Sequence, residues 1–144
     1  MALILDRLIP RTSESKISLA LALTAEERRR SHQRLEHSDG TIIHLQLPRG
    51  TVLYSGDLLQ GDDRDTIVKI IAKSEEVVTV RSNNYLELIK AAYHLGNRHI
   101  PLEITIDYLR FSADPVLAEL VKKMGLQVTT EMQPFEPEAG AYIN

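Results

Sequence analysis

Five imidazoles, at His32, His37, His44, His94 and His99, are the strongest metal ligands this 144-residue chain can offer, because it contains no cysteine. Without a thiolate there is no cysteine nucleophile, no disulfide, and no zinc or iron–sulfur site built on sulfur. Neutral imidazole suits nickel, copper and zinc. His32 and His37 lie in a polar segment with Arg28, Arg29, Arg30 and Arg34, and His44 alternates with Ile43 and Leu45, which turns it away from a core. These three read as surface histidines. His94 falls in the last turn of an expected helix, where a cationic imidazole complements the dipole, so its role is structural or that of a secondary ligand. His99 follows the end of that helix, in a turn feeding a strand, where the carbonyl end of the dipole favours a cation. One imidazole is an incomplete nickel site. A two-fold dimer would complete part of it by bringing the same residue together from both subunits. On the residues alone, His99 stays open between a ligand and an ordinary structural histidine.

Other chemistry finds less support. Gly56 and Gly61 have phosphate-loop spacing, but Asp62-Asp63 follow where Lys-Ser/Thr would be needed, and carboxylates repel a phosphate. Asp62, Asp63 and Asp65 lack the spacing and glycine of a calcium loop and read as a solvated hairpin turn. The arginine run is flanked by Glu26, Glu27 and Glu36 and reads as a solvated polar segment. There is no Gly-x-Ser-x-Gly elbow and no His-Glu-x-x-His helix. No pair of carboxylates forms a recognisable acid/base arrangement.

Two kinds of element must position these residues. Residues 17–23 and 41–47 alternate as strands, with Pro48-Arg49-Gly50 turning the chain; residues 52–54, 58–60 and 66–72 read as further short strands. No clear helix interrupts them, which predicts a small all-β unit over residues 1–74. The pattern then changes. Val77 to Val80 reads as a strand. Asn84 with Glu87 resembles a capping box for a helix carrying Leu86, Ile89, Ala92 and Tyr93 on one face, with Gly96 as its left-handed stop. Leu102, Ile104, Ile106 and Tyr108 alternate as a strand and Leu109 to Phe111 as another. Asp114-Pro115 starts a second helix whose apolar stripe is Val116, Leu117, Leu120, Val121 and Met124, with Lys122 and Lys123 in its last turn and Gly125 as its stop. Leu126, Val128, Thr130 and Met132 alternate as a last strand. The order β-α-β-β-α-β is ferredoxin-like, so the fold class is α+β, a β-rich N-terminal domain (1–74) followed by a ferredoxin-like domain (75–144) with an irregular tail from Gln133.

Composition narrows the partners. The formal net charge of −3, an aromatic content of 5% and the lack of Trp argue against nucleic acid. No apolar run approaches the ~18 residues of a membrane span, and charges at Asp6 and Arg7 interrupt any leader-like segment. A cytoplasmic protein is the expectation.

Two stretches carry a family resemblance: Tyr93-His94-Leu95-Gly96-Asn97-Arg98-His99-Ile100-Pro101-Leu102 and Pro134-Phe135-Glu136-Pro137-Glu138-Ala139-Gly140-Ala141-Tyr142. Asp39-Gly40, Leu47-Pro48-Arg49-Gly50, Gly56-Asp57 and Asp114-Pro115-Val116-Leu117 agree with them. Together they resemble the urease accessory nickel metallochaperones, the E proteins of urease operons, over essentially the whole chain. The resemblance implies a chaperone-like peptide-binding N-terminal domain and a ferredoxin-like domain that binds metal and dimerises. It implies no enzyme. His99 and its symmetry mate would bind Ni²⁺ at the dimer interface, with His94 as a secondary ligand, and metal binding could drive further oligomerisation. The nickel would pass to apo-urease within an accessory complex that includes a GTPase, and Zn²⁺ or Cu²⁺ could replace it in vitro. The segment Arg110-Phe111-Ser112-Ala113 and the residues after Tyr142 lack the histidines many members carry, which favours one labile shared site over a nickel store. Arg98 is expected to point away from the metal, towards an acidic partner surface. The alternative is a peptide- or protein-binding assembly chaperone whose metal binding is incidental. A neutral imidazole is required for coordination, so loading should weaken as pH falls through about 6.5.

Overall fold

The computed structural model describes residues 2–12 and 16–138, and its chain divides into two compact units, Met1–Lys73 and Ser74–Asn144. The α+β class holds, with a β-rich first half and a βαββαβ second half.

The first unit is built on β1 (Ala2–Ile9), β2 (Leu19–Leu23), β3 (His32–Glu36), β4 (Ile42–Gln46), β5 (Leu58–Gly61) and β6 (Ile67–Ala72), in the sheet order β2-β6-β5-β1-β4-β3. β1 lies parallel to β4 and β2 parallel to β6, while the other pairs are antiparallel. Period-two alternation sends Leu3, Leu5, Ile43, Leu45, Val68 and Ile70 into one core. His37, just past one edge strand, brings its Nε2 within 3.2 Å of the Ala20 carbonyl on the other, so the sheet curls.

Four expectations for this unit change. The residues at 2–9 and 32–36 are strands the alternation did not flag. Residues 52–54 are not a strand: Leu53 is buried, and its N–H donates to the Arg28 carbonyl. A short helix, α1 (Ala25–Arg28), interrupts the strands; Thr24 caps it, and the Thr24 and Glu27 side chains satisfy each other's backbone N–H groups. The arginine run is also not uniformly solvated. Arg28 is 2% exposed and donates from Nε to the Leu23 carbonyl, while Arg29 and Arg30 pair with Glu26.

The second unit contains β7 (Ser74–Arg81), α2 (Tyr85–Gly96), β8 (Glu103–Ile104), β9 (Leu109–Ser112), α3 (Pro115–Lys123) and β10 (Gln127–Pro134). Its sheet is antiparallel in the order β10-β7-β9-β8, the ferredoxin-like arrangement. Both helices pack on one face through Leu88, Ala91, Leu95, Leu117 and Val121 against Val78, Val80, Leu109 and Phe111. β8 is shorter than its alternation suggested. The Thr105 hydroxyl accepts from the N–H groups of Asp107 and Tyr108, and this local turn leaves Ile106 76% exposed.

Asp114 caps α3 by accepting from Val116 and Leu117, Pro115 occupies its first turn, and Gly125, at φ +91°, ends it. Val116 does not join the expected buried stripe; it is 75% exposed. Among the described residues, no helix is long and apolar enough to cross a membrane.

Candidate metal centre

His99 is placed by the way α2 ends. Asn84 starts the helix by accepting from the Leu86 N–H, but Glu87 does not return to the cap directly. Instead Ser82 accepts from the Asn84 N–H and donates to Glu87, so the capping box closes through a serine. At the other end Gly96 is helical rather than left-handed, contrary to expectation. The amides of Asn97, Arg98 and His99 fold back onto the carbonyls of Tyr93, Leu95 and Gly96 at 3.0, 3.1 and 3.0 Å. This tight turn satisfies the carbonyls a helix end otherwise leaves bare. His99 then takes the left-handed conformation, at φ 58°, which redirects the chain into Ile100-Pro101 and β8. Histidine is among the few L residues enriched there. Its side chain is exposed.

The apolar faces of α2 are the reverse of the periodicity reading. Leu88, Ala91 and Leu95 enter the core, whereas Leu86, Ile89 and Tyr93 are 56%, 63% and 65% exposed. Their i, i+3, i+7 spacing makes one solvent-facing stripe that runs to the turn bearing His99. His94 is also exposed and packs edge-on against Tyr93, with centroids 5.3 Å apart.

The remaining histidines sit elsewhere. His32 Nδ1 lies 3.2 Å from the Ser31 hydroxyl. His44 is half-buried between the core residues Ile43 and Leu45, on the opposite face of β4. His37 is more engaged than a surface histidine: beside its Ala20 contact, Nδ1 lies 3.0 Å from Asp39. Hydrogen bonds from Thr41 and then from His37 hold the Asp39 carboxyl down at about 2. Among the described residues, no three metal-binding side chains cluster within the chain.

The phosphate-loop spacing dissolves in the structure. The amides of Gly56, Asp57, Gly61 and Asp62 donate to the carbonyls of Ile70, Tyr54, Thr66 and Ile4, so these four do not cradle an anion. Gly56 instead permits a turn at φ +97° against which Arg11 lies, donating to Asp57 at 2.9 Å; Asp57 also accepts from the Tyr54 N–H. Asp63 is occupied closing its own turn, with hydrogen bonds from Thr66 and Asp65 lowering its pKa.

One cluster had no counterpart in the sequence reading. Arg110 is 7% exposed, on the sheet face away from the helices. Its Nε donates to Thr79 at 3.0 Å, and its guanidinium lies 4.3 Å from the Tyr108 ring centroid and 3.7 Å from each of Glu103 and Glu131. Tyr108 donates to Glu103 at 2.6 Å; burial, then that carboxylate, raise the phenol pKa. A hydrogen bond from Thr79 is the main cause lowering that of Glu131.

The network also holds the segment after β10. Arg110 donates to the Pro134 carbonyl, the Glu136 N–H to Glu103, and the Glu138 N–H to Leu102, while Phe135 and Pro137 are buried. The Pro134-to-Tyr142 stretch, expected to be irregular from Gln133, is thus β-strand through Pro134 and pinned through Glu138. Residues 139–142 of that stretch lie outside the described residues. A charged residue between Leu109 and Phe111 on a strand was the available signal for this cluster.

The chain thus combines a β-rich unit and a ferredoxin-like unit, and the latter carries the exposed imidazoles of His94 and His99 at the end of a helix, with an apolar stripe leading to them. Sequence comparison supplies the family. The family model for the UreE urease accessory protein C-terminal domain matches residues 75–144, and the N-terminal domain model matches residues 5–72. A urease accessory protein UreE of Nostoc punctiforme is 51% identical over 136 residues, covering 94% of this chain and 92% of its own. That of a second Nostoc species is 49% identical over 140 residues, covering 97% and 95%. That of Thermosynechococcus vestitus is 46% identical over 138 residues, covering 96% of both chains. The chain belongs to the UreE urease accessory protein family.

Proposed function

We propose that this protein is a nickel metallochaperone: it carries Ni²⁺ as cargo and delivers it to apo-urease, binding the ion through His99 of two protomers with His94 as a secondary ligand. The observation that carries the reading is the placement of His99. It is exposed, at the end of a helix whose Leu86, Ile89 and Tyr93 are apolar and open to solvent. An isologous pairing through that stripe removes it from water and sets the two His99 turns near the two-fold axis. A site with two protein imidazoles, completed by water, is exchangeable, as a carrier needs. Family membership supports a role in the urease machinery. In this reading residues 75–144 serve dimerisation and metal binding, and the β-rich residues 1–74 serve peptide recognition.

Equilibrium dialysis against Ni²⁺ with light scattering tests the proposal. The wild type should be a dimer binding one tight nickel. His99→Asn should remain dimeric and lose the tight site, and Leu86→Asp with Ile89→Asp should give a monomer that loses it as well. Undiminished nickel uptake by His99→Asn overturns the assignment.

A further inference from the structure

α3 buries Leu117 and Val121 and turns Val116 and part of Leu120 the other way. Between that side and the turn closing α2 lies a solvent-open groove of about 480 Å³. Its floor is Val116 and Leu120, and its rim carries Arg98 and Lys123, with Glu119 as the lone carboxylate. Neither Arg98 nor Lys123 has an ion-pair partner among the described residues. A chain of net charge −3 therefore presents a locally cationic groove with an apolar floor.

We infer that this groove docks an acidic segment of a protein partner. An apolar side chain of that segment lies on Val116 and Leu120, and flanking carboxylates meet Arg98 and Lys123. Charge complementarity selects this occupant. A second copy presenting the same groove would set cations against cations, a juxtaposition that costs affinity. Exposed Val116 supplies the desolvated centre such a contact needs, and the two unpaired cations supply the rim. Because Arg98 adjoins His99, a partner held here sits beside the candidate cargo ligand. That last point rests on the nickel reading, whereas the docking does not.

The test immobilises the full chain and uses purified apo-urease with its GTPase-containing accessory complex as the probe. The variants are Val116→Asp with Lys123→Glu, and, as a surface control in the first unit, Lys69→Glu. The groove variant should weaken binding at least about tenfold and remove most of its salt dependence, with circular dichroism, mass and nickel uptake as in the wild type. Lys69→Glu should bind within about twofold of the wild type. Binding of the groove variant within about twofold overturns the proposal. So does a change of mass in the groove variant, which would show a second copy in the groove. A gain of about tenfold on truncation after Glu138 also overturns it, because the chain's own terminal residues would then be the occupant. His99→Asn separates the two readings. If it keeps nickel while the groove variant still loses the partner, the His99 ligand assignment fails and the docking stands.

Discussion

Substitution at His99 changes two things at once, the imidazole and a left-handed backbone, and the structure allows them to be separated. At φ 58° an ordinary L residue suffers crowding of Cβ against the following carbonyl, costing roughly 1–2 kcal/mol, while Asn and His are penalised less and Gly hardly at all. The His99 side chain is exposed, so lost packing contributes little and the backbone decides the outcome. His99→Asn should stay within about 0.5 kcal/mol of the wild type. His99→Ala should lose about 0.5–1 kcal/mol, and His99→Gly should fall near the wild type, because relief of strain offsets a freer unfolded chain. All three should lose the tight nickel site. For a unit of this size, about 1 kcal/mol corresponds to roughly 4–8 °C in Tm. Urea titration of each apo variant, followed by far-ultraviolet circular dichroism, reads the stability order, and dialysis reads the metal. If Ala is as stable as Asn and Gly, the left-handed assignment is wrong. Nickel retained by any of the three refutes the ligand assignment.

Three further outcomes follow from the structure. Arg110→Ala removes the cation between Glu103 and Glu131 and should destabilise the second unit by about 2–4 kcal/mol; hydrogen exchange should show the Glu136 and Glu138 amides released, and unchanged protection there would contradict the pinned segment. Gly56→Ala should cost about 1–2 kcal/mol, mostly backbone strain, because the Arg11 Nη1 only 3.0 Å from the new Cβ belongs to a flexible side chain. A double-mutant cycle with Arg11→Ala should therefore recover less than half of that loss. Asp39 has a folded-state pKa of about 2, below its ordinary value of 3.8, so its stabilising effect is complete above about pH 4 and is lost as pH falls through about 2. Carboxyl NMR should find that midpoint, and Thr41→Pro, which removes the backbone donor, should raise it.

Much of the fold was legible from period and punctuation. Strand patterning located β2 and β4 to β10, whose buried residues, such as Ile43 with Leu45 and Val68 with Ile70, leave only one register that fills a core. Asp114-Pro115 and Gly125 marked both ends of α3, because a cap, a proline without an N–H and a left-handed glycine act locally. The imidazole count and the lack of cysteine limited the metal chemistry, and the motif around His99 pointed to the residue before any coordinates.

Tertiary structure decided what local pattern leaves degenerate. α2 is apolar on two sides at the same period, so the choice of Leu88, Ala91 and Leu95 for the core came only from docking on the sheet, which left Leu86, Ile89 and Tyr93 in water. Gly96 stayed helical and His99 took the left-handed conformation expected of Gly96, because three turn amides returned to the last carbonyls before the chain reversed. Arg110 became buried because Thr79, Tyr108, Glu103 and Glu131, scattered over more than fifty positions, meet on one sheet face only after the four strands pair. By itself, then, the sequence determined most of the strands and both helices of the second unit, and it singled out His99 as the candidate ligand. Only the packed sheet decided which side of α2 faces solvent, and thereby what surrounds that imidazole.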